Sequence, residues 1–179
     1  KIPPSIKPFE ILKKRGIVVA VSGGVDSSLT AALAVKALGN EHVLILLLPE
    51  YESSPETLRL GKLLSEHLGA QAIVEEIGPV LEALGCYKHR DEAIKRIFPE
   101  YSSEYKSKIV LPKNLMKTGR INIYYLVIEA PDGQQKMKRL PQRELFQIIS
   151  ATNHKQRTRK QFEYYHADRL GYAVAGTPN

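Results

Sequence analysis

A chain of 179 residues, 43% of them hydrophobic and 25% charged, has the make-up of an ordinary globular domain with room for a sizeable core. No apolar run approaches the roughly 20 residues of a membrane-spanning helix, and the single cysteine, Cys86, excludes an internal disulfide and fits a reducing compartment. The net charge is +7, with residues 1–100 close to neutral and the basic surplus carried by residues 101–179, a balance that suits polyanionic ligands. The first residues, Lys1-Ile2-Pro3-Pro4, hold no signal-peptide apolar stretch, so a cytoplasmic protein is expected.

In chain order, a lead-in through Lys14 carries a short helix over Phe9–Lys14. The first strand is Ile17–Val21, nearly all apolar as in a parallel strand covered on both faces. Ser22-Gly23-Gly24-Val25-Asp26-Ser27-Ser28 follows directly and opens a helix rich in alanine and leucine that stops near Gly39-Asn40. The free N–H groups of a helix N-terminus then lie just beyond a buried strand, and the glycines let the main chain approach a ligand closely. That is an anion site made of backbone, and a nucleotide phosphate suits it. Asp26 and Ser27 also fit as first-turn or capping residues of an ordinary strand-to-helix turn. The loop has neither the lysine of the Walker loop nor the spacing of the dinucleotide fingerprint.

The second strand, His42–Leu48, is again continuously apolar and ends at Pro49. Ser54-Pro55-Glu56 reads as an N-cap followed by proline at the first helical position, and that helix keeps its leucines on one side until Gly69. The third strand is Ala72–Ile77. Strands and helices alternating with short loops argue for a doubly wound parallel sheet, whose ligands sit beyond the carboxyl ends of the strands, where Ser22–Ser28 falls.

From Gly78 the pattern loosens into short helices, Pro79–Leu84 and Asp91–Phe98, and a lysine-rich surface loop is expected over Tyr101–Arg120. Ile121–Glu129 and Gln135–Leu140 then form a β-hairpin about Asp132-Gly133. This basic loop and hairpin, about 105–141, interrupt the alternation as an insertion within one domain spanning 1–179. Their lysines and arginines read as a solvated edge rather than a binding surface. A helix over Pro141–Ser150 leads to the helical stretch Asn153–Leu170, which Gly171 ends, and Tyr172–Thr177 reads as a last strand. Two residues apart on a helix is about 200°, so Arg157 and Arg159 point in nearly opposite directions. His154 and His166 read as surface or packing residues, since nothing at metal-ligand spacing accompanies them.

The loop Ser22–Ser28 resembles the Ser-Gly-Gly-x-Asp-Ser signature of the PP-loop ATP pyrophosphatases. Asn153-x-Lys155-x-Arg157-x-Arg159, Tyr164-Tyr165-x-Ala167 and Tyr172-Ala173-Val174-Ala175-Gly176-Thr177-x-Asn179 are similar to the second signature of NAD synthetases. With Leu48-Pro49 and Ser53-Ser54-Pro55-Glu56, the likeness covers most of residues 16–84 and 150–179.

The resemblance implies a three-layer α/β/α domain, adenine nucleotide alpha-hydrolase-like, and a homodimer that binds its substrate at the subunit interface. It implies an ATP-dependent ligase that adenylates a carboxylate, that of deamido-NAD in the family, and lets ammonia displace AMP. On that likeness Ser22, Gly23, Gly24, Val25, Asp26, Ser27, Ser28 and Thr177 bind ATP. Asn153, Arg157 and Arg159 bind the substrate, Asp26 holds Mg²⁺, and no residue serves as nucleophile. The family also carries a glutamate a few residues beyond the Gly-Thr pair and a further C-terminal segment; both are expected to be missing here. No cysteine suits a glutaminase, so ammonia arrives free or from a partner.

Two alternatives stand beside this. A tRNA-modifying PP-loop enzyme would use the basic second half, but its sulfur-transfer and zinc-bearing members need several cysteines, so nucleic acid is not expected as a partner. The other is a non-catalytic nucleotide-binding remnant.

Overall fold

The computed structural model describes residues 13–111 and 123–176. In chain order the elements are β1 (Ile17–Ala20), α1 (Val25–Leu38), β2 (Val43–Leu47), α2 (Pro55–Leu68), β3 (Gln71–Val74), α3 (Gly78–Ala83) and α4 (Cys86–Lys95). They continue with β4 (Lys106–Val110), β5 (Tyr125–Glu129), β6 (Gln135–Arg139), α5 (Gln142–Leu170) and β7 (Ala173–Val174). The chain divides into two compact units, residues 1–80 with 156–179, and residues 81–155.

The first unit is built on a parallel sheet in the order β3-β2-β1-β7. Successive strands β1, β2 and β3 move one way from the centre and β7 joins on the other side, so the order reverses between β1 and β7. This is the α/β arrangement expected from the alternation. Val19, Val43, Ile45 and Leu47 face α1 and α2, packing with Ala31, Ala34 and Val35 of the first and Leu58, Leu64 and Leu68 of the second. Val18, Leu44 and Leu46 point the opposite way by the pleat and are as deeply buried, at 0%, 2% and 0% exposure. Burial on both faces is why these strands read as unbroken apolar runs. Each such side chain contributes about 1.5–3 kcal/mol on leaving water.

Local signals set the helix ends. Ser54 Oγ accepts from the Glu56 N–H at 3.2 Å and Pro55 opens α2, while Gly69, at φ 62°, closes it in the left-handed region. Gly39 stops α1 by donating its N–H to the Val35 carbonyl. The expected second strand is shorter than its apolar run, because His42 belongs to a turn of 3₁₀ helix, Asn40–His42. The third begins at Gln71 and ends at Val74. Of the lead-in helix over Phe9–Lys14, residues 9–12 lie outside the described residues, and Lys13 and Lys14 are not helical.

The second unit holds an antiparallel sheet in the order β4-β5-β6. The expectation of a plain loop over Tyr101–Arg120 is corrected: Lys106–Val110 is a strand, paired along its length with β5. Its alternation is masked by lysines at the exposed positions, while Ile109 packs on the buried cluster of Ile94, Phe98, Tyr101, Leu126, Ile128 and Ile148. The stretch therefore folds as a three-stranded sheet rather than a hairpin. Strand β5 starts at Tyr125; Ile121 and Asn122, where it was expected to begin, lie outside the described residues. Helix α4 starts at Cys86, five residues before the expected Asp91, because Gly85 at φ 71° turns the chain into it. The last helix is a single run of 29 residues: Ala151 and Thr152 carry no breaker, and Thr152 folds its hydroxyl back on the Ile148 carbonyl at 2.8 Å. No helix among the described residues is long and apolar enough to cross a membrane.

Candidate active site

The site lies in the first unit, at the carboxyl end of β1 where the strand order reverses. Val21 extends the ladder by donating to the Leu46 carbonyl at 2.9 Å, and the chain then turns through Ser22-Gly23-Gly24 into α1. Gly23 has φ +73°, and a Cβ there would meet the Thr57 carbonyl oxygen at 3.0 Å, so glycine is required both by the backbone and by the approach of α2. Gly24 caps the helix with extended backbone and no side-chain bond. The first-turn N–H groups have no intrahelical partner and no side-chain cap.

The serines divide the work. Ser27 is buried; its Oγ accepts from the Ser22 N–H at 3.2 Å and donates to the Gly24 carbonyl at 3.1 Å. Ser28 donates to the same carbonyl at 2.8 Å. Both protons hold the loop in shape. Ser22 is exposed, with its Oγ 3.3 Å from that of Ser27, and is the hydroxyl best placed to reach outward. Val25 is 82% exposed, and Asp26 stands exposed in the first turn of α1.

Ser22 and Ser27 open onto a cavity of about 850 Å³. Ala20, Val21, Leu46, Leu47, Leu48, Pro49, Leu58 and Ala175 give it apolar walls, and Ser53, Thr57 and Gly176 complete that side. Gln156, Arg159, Lys160 and Glu163 of α5 face them. Apolar walls with an oxyanion loop at one end and cations on one side suit a nucleotide.

The structure brings together Ser22, Ser27 and Arg159 of the expected residues. Arg157 is exposed and lines a neighbouring hollow of about 440 Å³ with Gln156, Lys160, Gln161 and Tyr164, as its 200° offset from Arg159 requires. Asn153 is exposed on the same helix and is counted with the second unit. Thr177 lies outside the described residues. Gln156, Lys160, Glu163, Ser53 and Thr57 are not among the expected ATP-binding or substrate-binding residues. The i,i+3 spacing of Lys160 and Glu163 and the i,i+4 spacing of Arg159 and Glu163 were the available signals.

His166 is a packing residue. Arg169 Nε donates to its Nδ1 at 3.0 Å, so Nε2 carries the ring proton and donates to Glu75 Oε1 at 2.7 Å. That bond ties α5 to the residue following β3. Among the described residues no cluster of three or more His, Cys, Asp or Glu is arranged to hold a metal ion.

Fold and loop define an α/β protein with a glycine-bearing loop and an uncapped helix N-terminus at the switch point of a parallel sheet. The chain belongs to the NAD synthase family, whose family model matches residues 9–98. It is 52% identical over 168 residues to the NH(3)-dependent NAD(+) synthetase of Rhizobium meliloti, covering 94% of this chain and 50% of the relative. To the protein of that name from Rhizobium rhizogenes it is 47% identical over 168 residues, covering 94% of this chain and 50% of the other. The chain thus spans about half the length of the curated relatives it matches. The fold is shared with the NH3-dependent NAD synthetase from Campylobacter jejuni, solved with a nitrate ion. The TM-score is 0.57 at 22% identity, over 96% of this chain and 51% of that one.

Proposed function

We propose that the protein is an ATP-dependent amide ligase that converts the carboxylate of deamido-NAD, or a related acid, to the amide with ammonia. The observation that carries this reading is the uncapped helix N-terminus at Ser22–Ser28 opening onto a nucleotide-sized cavity at the switch point. A carboxylate is a poor electrophile at neutral pH. Its oxygen attacks the α-phosphorus of ATP and pyrophosphate leaves; ammonia then adds to the acyl carbon, AMP leaves, and the ammonium nitrogen gives up a proton. No protein nucleophile is needed, and the chain's task is to position reactants and neutralise phosphate charge.

In this reading the N–H groups of Gly24, Val25 and Asp26 with the Ser22 hydroxyl receive the pyrophosphate, while Ser27 and Ser28 keep the loop in register. Arg159 serves the cavity and Arg157 the second substrate in the hollow, with Asn153 and Thr177 retained as binding residues by family likeness. Asp26 fits a Mg²⁺ ion as its protein ligand, because this hard cation needs only one or two carboxylates when phosphate oxygens and water complete its shell. Bound there, Mg²⁺ would offset the charge of the triphosphate. Two copies would pair as a homodimer, as in the family resemblance.

The test is a panel of carboxylates scored for pyrophosphate release with ATP and ammonia. Deamido-NAD should give the largest stimulation, and Asp26→Ala should abolish it. Release that no carboxylate stimulates would refute the ligase, and full release by Asp26→Ala would refute the metal role.

A further inference from the structure

Helix α5 borders two spaces, the cavity and the hollow, both within the unit of residues 1–80 and 156–179. A helix turns about 100° per residue, so with Gln156 at zero, Arg159, Glu163 and Lys160 fall at about 300°, 340° and 40°. Tyr164 and Arg157 follow at about 80° and 100°. Arg159 and Glu163 line the cavity, and Tyr164 and Arg157 line the hollow. The two arcs overlap at Gln156 and Lys160, which line both, and Lys160 is the cation common to the two spaces among the described residues.

Glu163 fixes where that cation stands. The residue is 2% exposed, and a buried carboxylate is costly unless paired. Lys160 Nζ donates to Glu163 Oε2 at 2.6 Å, while the lysine side chain stays 49% exposed. The more exposed member of the pair is therefore the lysine. An ammonium has three donors, so one spent on Glu163 leaves two for ligands. Arg159 and Arg157 have no such choice, because each lines one space only.

We infer that Lys160 is a binding residue for both substrates, giving one N–H to the nucleoside triphosphate in the cavity and another to the phosphates of the dinucleotide in the hollow. The helix thus offers a separate arginine to each ligand and one lysine to both. Held by Glu163 in either case, the ammonium attracts each ligand alike whether or not the other is present. Its two contributions are therefore independent, and each is readable with a single ligand. This rests on the two-substrate reading above and adds to it a residue that both substrates touch. A lysine that served Glu163 only as a counterion would matter to neither ligand.

Removing Lys160 alone would leave a buried carboxylate without its partner, so the lysine is best measured where that charge is already gone. Calorimetric titration of the full chain compares Glu163→Gln with Lys160→Met combined with Glu163→Gln, using α,β-methylene ATP and deamido-NAD in separate experiments. The double variant should bind each ligand about tenfold more weakly than Glu163→Gln does, the size of one charge-assisted hydrogen bond. Lys160→Arg in the otherwise unsubstituted protein should keep both affinities, since it keeps a cation with several donors. A loss confined to one ligand would leave Lys160 to a single space, and no loss in either would make it a structural partner of Glu163; both results overturn the inference. Failure of the unsubstituted protein to bind α,β-methylene ATP would instead refute the nucleotide site, and failure to bind deamido-NAD the two-substrate reading.

Discussion

Gly23 shows how much a single residue decides at this site. Its φ of +73° is a conformation that an L side chain enters at a cost of about 1–2 kcal/mol, and a Cβ would also press on the Thr57 carbonyl. Gly23→Ala is expected to lower stability by about that amount and to displace the loop's donors. One misplaced hydrogen bond to phosphate is worth about 1.5 kcal/mol, close to tenfold in Kd, so ATP affinity by titration should fall at least that far. The two arginines separate differently. Arg159→Ala should raise the KM for ATP, and Arg157→Ala the KM for the carboxylate substrate far more than that for ATP; equal changes in both constants from either variant would refute the division. The motif spacing singled out both residues, and only their placement on α5 assigned them to different spaces.

At the scale of the element, α5 is held by an ion pair and hydrogen bonds whose partners are far away in sequence. Arg96 Nε donates to Glu144 Oε1 at 2.9 Å, and Gln147 accepts from the same guanidinium. The Arg96 guanidinium beside Glu144 holds its carboxyl below the ordinary value of 4.5. A carboxyl depressed on folding stabilises at pH above the unfolded value, and that contribution disappears as pH falls through the folded one. The unit of residues 81–155 should therefore lose stability on acidification below about pH 4.5. Glu144→Gln should be less stable than the parent at pH 7, by about 1 kcal/mol because Arg96 is partly exposed. The gap should narrow as pH falls below 4.5, as followed by urea denaturation from pH 7 through the acid range. A constant gap would mean that packing, not charge, is what the substitution removes.

For the whole molecule, the division into two units has a consequence in solution. The loop Ser22–Ser28 and the cavity belong entirely to the unit of residues 1–80 and 156–179. A ligand that binds only the folded state adds about 2.7 kcal/mol at a concentration of 100 Kd. Hydrogen exchange with saturating ATP should accordingly slow in β1, the loop and the first turns of α1, with little change in β4, β5 and β6. Protection centred on the antiparallel sheet would relocate the nucleotide to the second unit.

Much of this protein was written in its local sequence. Continuous apolar runs announced the parallel strands because both sheet faces are covered, and Ser54-Pro55 and Gly69 announced the ends of α2 because caps act within one turn. The glycine pair announced the turn from strand into helix, since the positive φ at Gly23 leaves few residues to choose from. The strand Lys106–Val110 stayed hidden, because its pairing with β5 is non-local and lysines occupy its exposed positions. Hidden for the same reason were the partners of Glu144 and Glu75 and the cavity face formed by Gln156, Arg159, Lys160 and Glu163. Periodicity shows which residues share a stripe of a helix. What that stripe faces is decided by the sheet edge it packs beside, and only the tertiary structure brings the two together.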